Sequence, residues 1–235
     1  MNKGEKMKKS TMLCSLFLIM CVLTGCGIMG QASETKAEPI AAATDGKEHK
    51  ILVVYYSVPE ATNPNNMTTE GENSAIVVNG KVLGNNQFVG GVIAKALAAD
   101  EFRIDTVKKY PITNHRAFIN EAEAELKNGV RPALKEEPQK LAQYDTIFLG
   151  YPIWWGDMPP AVYTFLEKND LSNKTIIPFV THGGSGLAGT VETLTKMEPK
   201  SKVVQSALCI HRDDVVAGSE KNIKDWLIKL GYKTK

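Results

Sequence analysis

From Ile51 to Leu230 short apolar runs alternate with stretches whose apolar residues return every three or four positions. Ile51 to Tyr56 is apolar throughout, as expected of a strand buried on both faces. Phe102 to Val107 alternates as a second strand, Thr146 to Leu149 is a third that ends at Gly150, and Lys174 to Val180 and Val203 to Ile210 predict the fourth and fifth. Between them, Val89, Val92, Ile93, Ala96 and Leu97 have the spacing of one helix face, with Asn85 or Asn86 as its cap. Thr113 to Asn128 predicts a second helix, stopped by Gly129. Ala161 to Lys168, opened by Pro159 and Pro160, predicts a third, and Gly189 to Met197 a fourth. Ile223, Trp226, Leu227 and Leu230 mark the last. Five strands alternating with helices imply an α/β domain, a parallel sheet covered on both faces.

One segment breaks the alternation. Val58 to Leu83 begins as a loop rich in proline and asparagine, then reads Ala75 to Leu83 around Asn79-Gly80, a hairpin signal. Its apolar residues, Ile76, Val77, Val78, Val82 and Leu83, exceed what a solvated loop needs, so the hairpin is expected to dock on the domain or on a partner.

The first 50 residues do not share the pattern. Lys3, Lys6, Lys8 and Lys9 precede the apolar stretch Met12 to Leu23, which is too short for a comfortable membrane span. This is the layout of a secretory signal. Leu23-Thr24-Gly25-Cys26 resembles the lipobox of bacterial lipoproteins, which implies cleavage before Cys26 and lipidation of its thiol. The organisation is then a signal peptide over 1–25, a flexible tether over 26–50 and one domain over 51–235, held on the extracytoplasmic side of a bacterial membrane. The leader carries a charge of +3, so the chain's +2 becomes −1 once it is removed. No basic cluster remains to suggest nucleic acid. Cys14 and Cys21 leave with the leader, and Cys209 is expected to be a small buried side chain.

Three strands end in loops of unusual composition, and in a parallel sheet such loops share one edge. The first pairs Ser57 with Gly84-Asn85-Asn86-Gln87 across the insertion; free N–H groups opening a helix there make an anion site. Thr62 is a second hydroxyl available to it. The second loop is Pro152-Ile153-Trp154-Trp155-Gly156, whose paired indoles are expected to cover a flat ligand, with at least one of them packed on neighbouring helices. In the third, Thr181-His182-Gly183-Gly184-Ser185-Gly186, the glycines let backbone approach a planar group closely. An anion site, aromatic walls and a glycine loop together describe a mononucleotide lying across the sheet edge.

In this order, each after its own strand, Ile51-to-Ser57, Gly150-to-Gly156 and Thr181-to-Gly186 resemble the flavodoxin-like family over Ile51 to about Leu230. The resemblance implies strand order 2-1-3-4-5 and bound FMN, with phosphate at the first loop and isoalloxazine between the second and third. Flavodoxins usually run from the first serine or threonine through Thr-Gly-Asn-Thr straight into the helix. Here Ser57 and Gly84-Asn85-Asn86 are the two ends of that loop, and the hairpin separates them.

The function implied is electron transfer by a membrane-tethered FMN protein with a protein or small-molecule redox partner. The alternatives are an NAD(P)H-dependent quinone or flavin reductase, in which the insert walls a second pocket, and a flavin-free module that binds another protein. Electron transfer itself requires no side chain as an acid or base. His182 either donates to a flavin carbonyl or simply packs or faces solvent, Asp157 reads as a helix cap, and His115 and His211-Arg212-Asp213-Asp214 read as loop surface. Neither a metal-ligand spacing nor a hydrolase motif is present in the sequence.

Overall fold

The structure, a computed structural model, describes residues 49–235. The leader, Cys26 and nearly all of the tether lie outside the described residues.

The strands are β1 (Ile51–Tyr56), β2 (Ala75–Val78), β3 (Lys81–Gly84), β4 (Asp100–Ile104), β5 (Thr146–Pro152), β6 (Thr175–His182), β7 (Lys202–Val203) and β8 (Leu208–His211). The helices are α1 (Thr69–Ser74), α2 (Asn85–Leu97), α3 (His115–Lys127), α4 (Pro160–Lys168), α5 (Thr190–Met197) and α6 (Glu220–Lys229). The main sheet is parallel in the order β4-β1-β5-β6-β7, with β8 also on β6. Counting β7 and β8 as one broken fifth strand, this is the order 2-1-3-4-5. Side chains alternate across it. Leu52, Val54, Ile147, Leu149 and Ile176 pack with Phe118 of α3, Phe165 of α4 and Leu194 of α5. Val53, Phe148 and Ile177 face Val89 and Ile93 of α2 and Ile223 and Leu227 of α6. Helices therefore cover both faces, as continuous apolar strands require.

Several boundaries differ from the sequence reading for physical reasons. β5 does not stop at Gly150 but pairs with β6 through Pro152. Gly150 is there because the Phe179 ring crosses it: a Cβ would sit 2.1 Å from that ring. The fifth strand is broken by Val204 to Ala207. Val204 N donates to Ile176 O, and alternation turns Pro178 of β6 toward the same side. Proline has no N–H to offer there, and the neighbouring strand bulges away at that point. Cys209 is exposed rather than buried, because β8 is the sheet's edge. α2 is capped by Gly84, not by Asn85 or Asn86. Asp157 caps no helix; its Oδ1 accepts from Met158 N and Tyr163 OH, both at 2.7 Å.

The insert is more structured than its composition suggested. β2 and β3 form the expected hairpin, with Asn79 and Gly80 at φ +50° and +73°. Ile76, Val78 and Leu83 pack on the α2 side of the sheet, so it docks on its own domain. α1, capped by Thr68 Oγ1 accepting from Gly71 N at 3.0 Å, precedes it. No described helix is long and apolar enough to cross a membrane.

Candidate functional site

At the carboxyl edge of the sheet, the loops after β1, β5 and β6 enclose one cleft with the start of α2, the insert and α3. Of the residues singled out from sequence, Ser57, Asn85, Asn86, Pro152, Ile153, Trp154, Thr181, His182 and Gly183 line it. Seven do not. Thr62 and Gln87 line a separate concavity with Tyr56 and Arg103. Trp155 and Gly156 turn away at the cleft's second loop, and Gly184, Ser185 and Gly186 continue the third loop beyond it.

The two halves of the first loop come together despite the 26 intervening residues from Val58 to Leu83. Gly84 lies so close to Ser57 that a Cβ would be 2.1 Å from Ser57 Oγ. This close approach explains glycine at the cap. With no cap side chain, only one leg of the usual reciprocal pair exists: Gly84 N donates to Gln87 Oε1 at 3.3 Å. The first N–H groups of α2 thus have no side-chain cap, which suits an anion. Asn85 Nδ2 donates to Asn73 O of the insert (3.1 Å), and Asn86 Nδ2 to Thr181 Oγ1 (2.7 Å). Oδ1 of both asparagines is buried and has no partner among the described residues. Buried acceptors of this kind are costly unless something donates to them. Which carboxamide atom faces the cleft follows from the hydrogen-bond network.

The tryptophans divide the two roles. Trp154 is half-buried, and its ring meets Tyr56, Tyr110 and Phe118 near-perpendicularly at 5.2–5.5 Å. Those rings fix the indole as part of the cleft wall. Trp155 is 58% exposed and sits at φ +52°, a left-handed conformation uncommon for a large side chain. Trp154 and Asp157 exchange both backbone hydrogen bonds, so Trp155-Gly156 is a two-residue turn. The Trp155 indole N–H donates to Ile119 O of α3 at 3.1 Å.

β6 runs through Thr181 and His182, so the third loop begins only at Gly183; His182 Nδ1 accepts from Gly184 N at 3.0 Å, which leaves the neutral ring's proton on Nε2. Burial, then the His211 ring 5.3 Å away, push the His182 pKa below its ordinary value, and Asp214 opposes them. Gly183 is pressed by Arg212, whose Nη1 would lie 3.0 Å from an added Cβ.

Sequence reasoning missed Glu60, Asn73, Ser74, His115, Phe118, Ile119 and Arg212, all in the cleft wall. His115 and Arg212 are not idle loop surface. No local signal marks them, because the sheet edge gathers them from segments far apart in sequence. No group of described His, Cys, Asp and Glu residues could hold a metal ion.

Residues 79–230 match the family model described as Flavodoxin. Among curated proteins none matches the chain. A protein described as a flavoprotein from Bacteroides eggerthii DSM 20697 is 26% identical, with TM-score 0.56 over 79% of this chain and all of that one. One from Bacteroides uniformis ATCC 8492 is 24% identical at TM-score 0.56, covering 77% and 99%. A flavoprotein from Lactobacillus acidophilus NCFM, solved in complex with FMN, shares the fold at TM-score 0.51 and 14% identity, covering 76% and 99%.

Proposed function

This chain belongs to the flavodoxin family, and from that premise we propose that it is an FMN-binding redox protein. The observation that carries the reading is one cleft joining the uncapped start of α2, the fixed indole of Trp154 and the end of β6 from Thr181 into Gly183. These residues fit the group. The N–H groups at the start of α2 and Ser57 would take its phosphate, and the buried Oδ1 atoms of Asn85 and Asn86 would accept from its hydroxyls. Trp154 and the backbone at Gly183 would flank the ring. FMN would supply one- and two-electron chemistry, and the protein its orientation and electrostatics. The test is the visible spectrum of purified protein with and without added FMN. Flavin bands that stay with the protein support the reading; a colourless protein that takes up none favours a flavin-free binding module.

A specific feature favours reduction of small molecules over simple electron carriage. The insert adds Val58, Glu60, Asn73 and Ser74 to the cleft wall, facing His115, Phe118 and Ile119 around α3. A walled cleft suits a small acceptor or a nicotinamide donor.

For location, we propose that Cys26 is lipidated and holds the domain outside the cytoplasm on a tether reaching about residue 50. Fatty-acid labelling of the chain that disappears in Cys26→Ala supports this. Labelling that persists in the variant contradicts it.

A further inference from the structure

The insert brings a carboxylate into the cleft and holds it there. Glu60 N donates to Ser74 Oγ at 2.8 Å, and Ser74 Oγ donates to Gly71 O at 3.3 Å. Gly71 in turn packs on Ala61, where an added Cβ would lie 2.8 Å from the alanine Cβ. The Glu60 side chain is only 6% exposed, and its Oε2 is 2.7 Å from His115 Nδ1. His115 is the first residue of α3, fixed by Asn114 Oδ1 accepting from Ala117 N at 3.0 Å. Its own side chain remains 42% exposed, and both residues line the cleft beside Trp154 and Phe118. Burial raises the Glu60 pKa, His115 partly offsets this, and the neighbouring Glu70 adds to the rise.

A carboxylate this buried is costly unless a donor or cation pairs with it, and His115 is that partner. A glutamate on Nδ1 holds an imidazole in one orientation and leaves Nε2 as the site that exchanges protons. We propose that Glu60 and His115 form a proton-donating pair for a conjugated carbonyl acceptor of the quinone class reduced in this cleft. His115 is the donor and Glu60 positions it. The proposal rests on the flavoprotein reading above.

The balance is simple. The acceptor takes two electrons and one proton as a hydride equivalent that originates in a reduced nicotinamide, and it needs a second proton on oxygen. His115 supplies that proton: its Nε2–H bond breaks and the acceptor's O–H bond forms. The ring is left neutral with Nδ1–H on Glu60 Oε2, and water restores the proton.

The test uses the full chain saturated with FMN, NADH as reductant, and two acceptors. Benzoquinone needs protons to reach its hydroquinone, whereas ferricyanide takes one electron and none. His115→Gln should lower the benzoquinone rate at least about tenfold more than the ferricyanide rate, a modest part of the roughly 10²–10⁴-fold that a positioned acid contributes. Independently of turnover, proton–nitrogen NMR of FMN-free protein should show the neutral His115 ring protonated on Nδ1, and Glu60→Ala should abolish that preference. Equal losses on both acceptors, no loss on either, or an unchanged tautomer in Glu60→Ala would overturn the proposal. Parent protein that binds no FMN would overturn the flavoprotein reading and the proposal with it; parent protein that binds FMN but reduces neither acceptor would leave that reading standing and overturn the proposal alone.

Discussion

Asn86 Nδ2 donates to Thr181 Oγ1 at 2.7 Å, a buried bond between residues 95 positions apart. It ties the first turn of α2 to the end of β6, so the anion end of the cleft and the glycine loop are held by one contact. Thr181→Val keeps the shape but removes the acceptor and strands a buried amide. It should cost about 1–3 kcal/mol of stability by denaturant unfolding. Combined with Asn86→Ala it should cost less than the sum of the two single changes, because they share the bond.

Gly150 and Phe179 make a second such dependence within the sheet. Gly150→Ala drives a methyl into the Phe179 ring, which is fully buried between β5 and α2. Overpacking there should cost about 1–3 kcal/mol. Phe179→Leu in the same chain should recover part of the loss if the ring is the obstacle. No recovery would place the strain in the backbone instead.

Much of this was legible in the sequence, and what was missed has a common cause. The alternation of runs and helix faces gave five strand positions, their parallel pairing and the hairpin at Asn79-Gly80, because those features are local. The break at Val204 to Ala207 was not legible, since it depends on a proline in a different strand. The approach of Gly84 to Ser57 was legible in part: both were assigned to one loop, but nothing in the sequence says how a 26-residue excursion closes. Glu60 and His115 were invisible as a pair for the same reason, being joined only by the fold. The left-handed turn at Trp155-Gly156 moved one indole out of the cleft, a matter of backbone geometry that two adjacent tryptophans do not encode.

The lowered pKa of His182 makes a signed prediction. Its ordinary value is 6.5, and the folded protein holds it lower. As pH falls through that window the unfolded chain takes up the proton first, so stability is lost. His182→Asn, whose Oδ1 stands where Nδ1 does and can still accept from Gly184 N, should remove this loss. The parent's Tm should drop relative to the variant's between about pH 7.5 and about pH 5. A constant difference across that range would mean that His182 titrates alike in both states.

Titrating the full-length chain with FMN, followed by flavin fluorescence, decides whether the cleft holds a flavin against Trp154. Saturable quenching with one FMN per chain is expected, because Trp154 is fixed in the cleft wall. Trp154→Ala should weaken binding by about 1–3 kcal/mol, the range for aromatic stacking on a base, while Trp155→Ala leaves it close to the parent. An absence of saturable binding, or binding that depends on Trp155 and not on Trp154, would contradict the account.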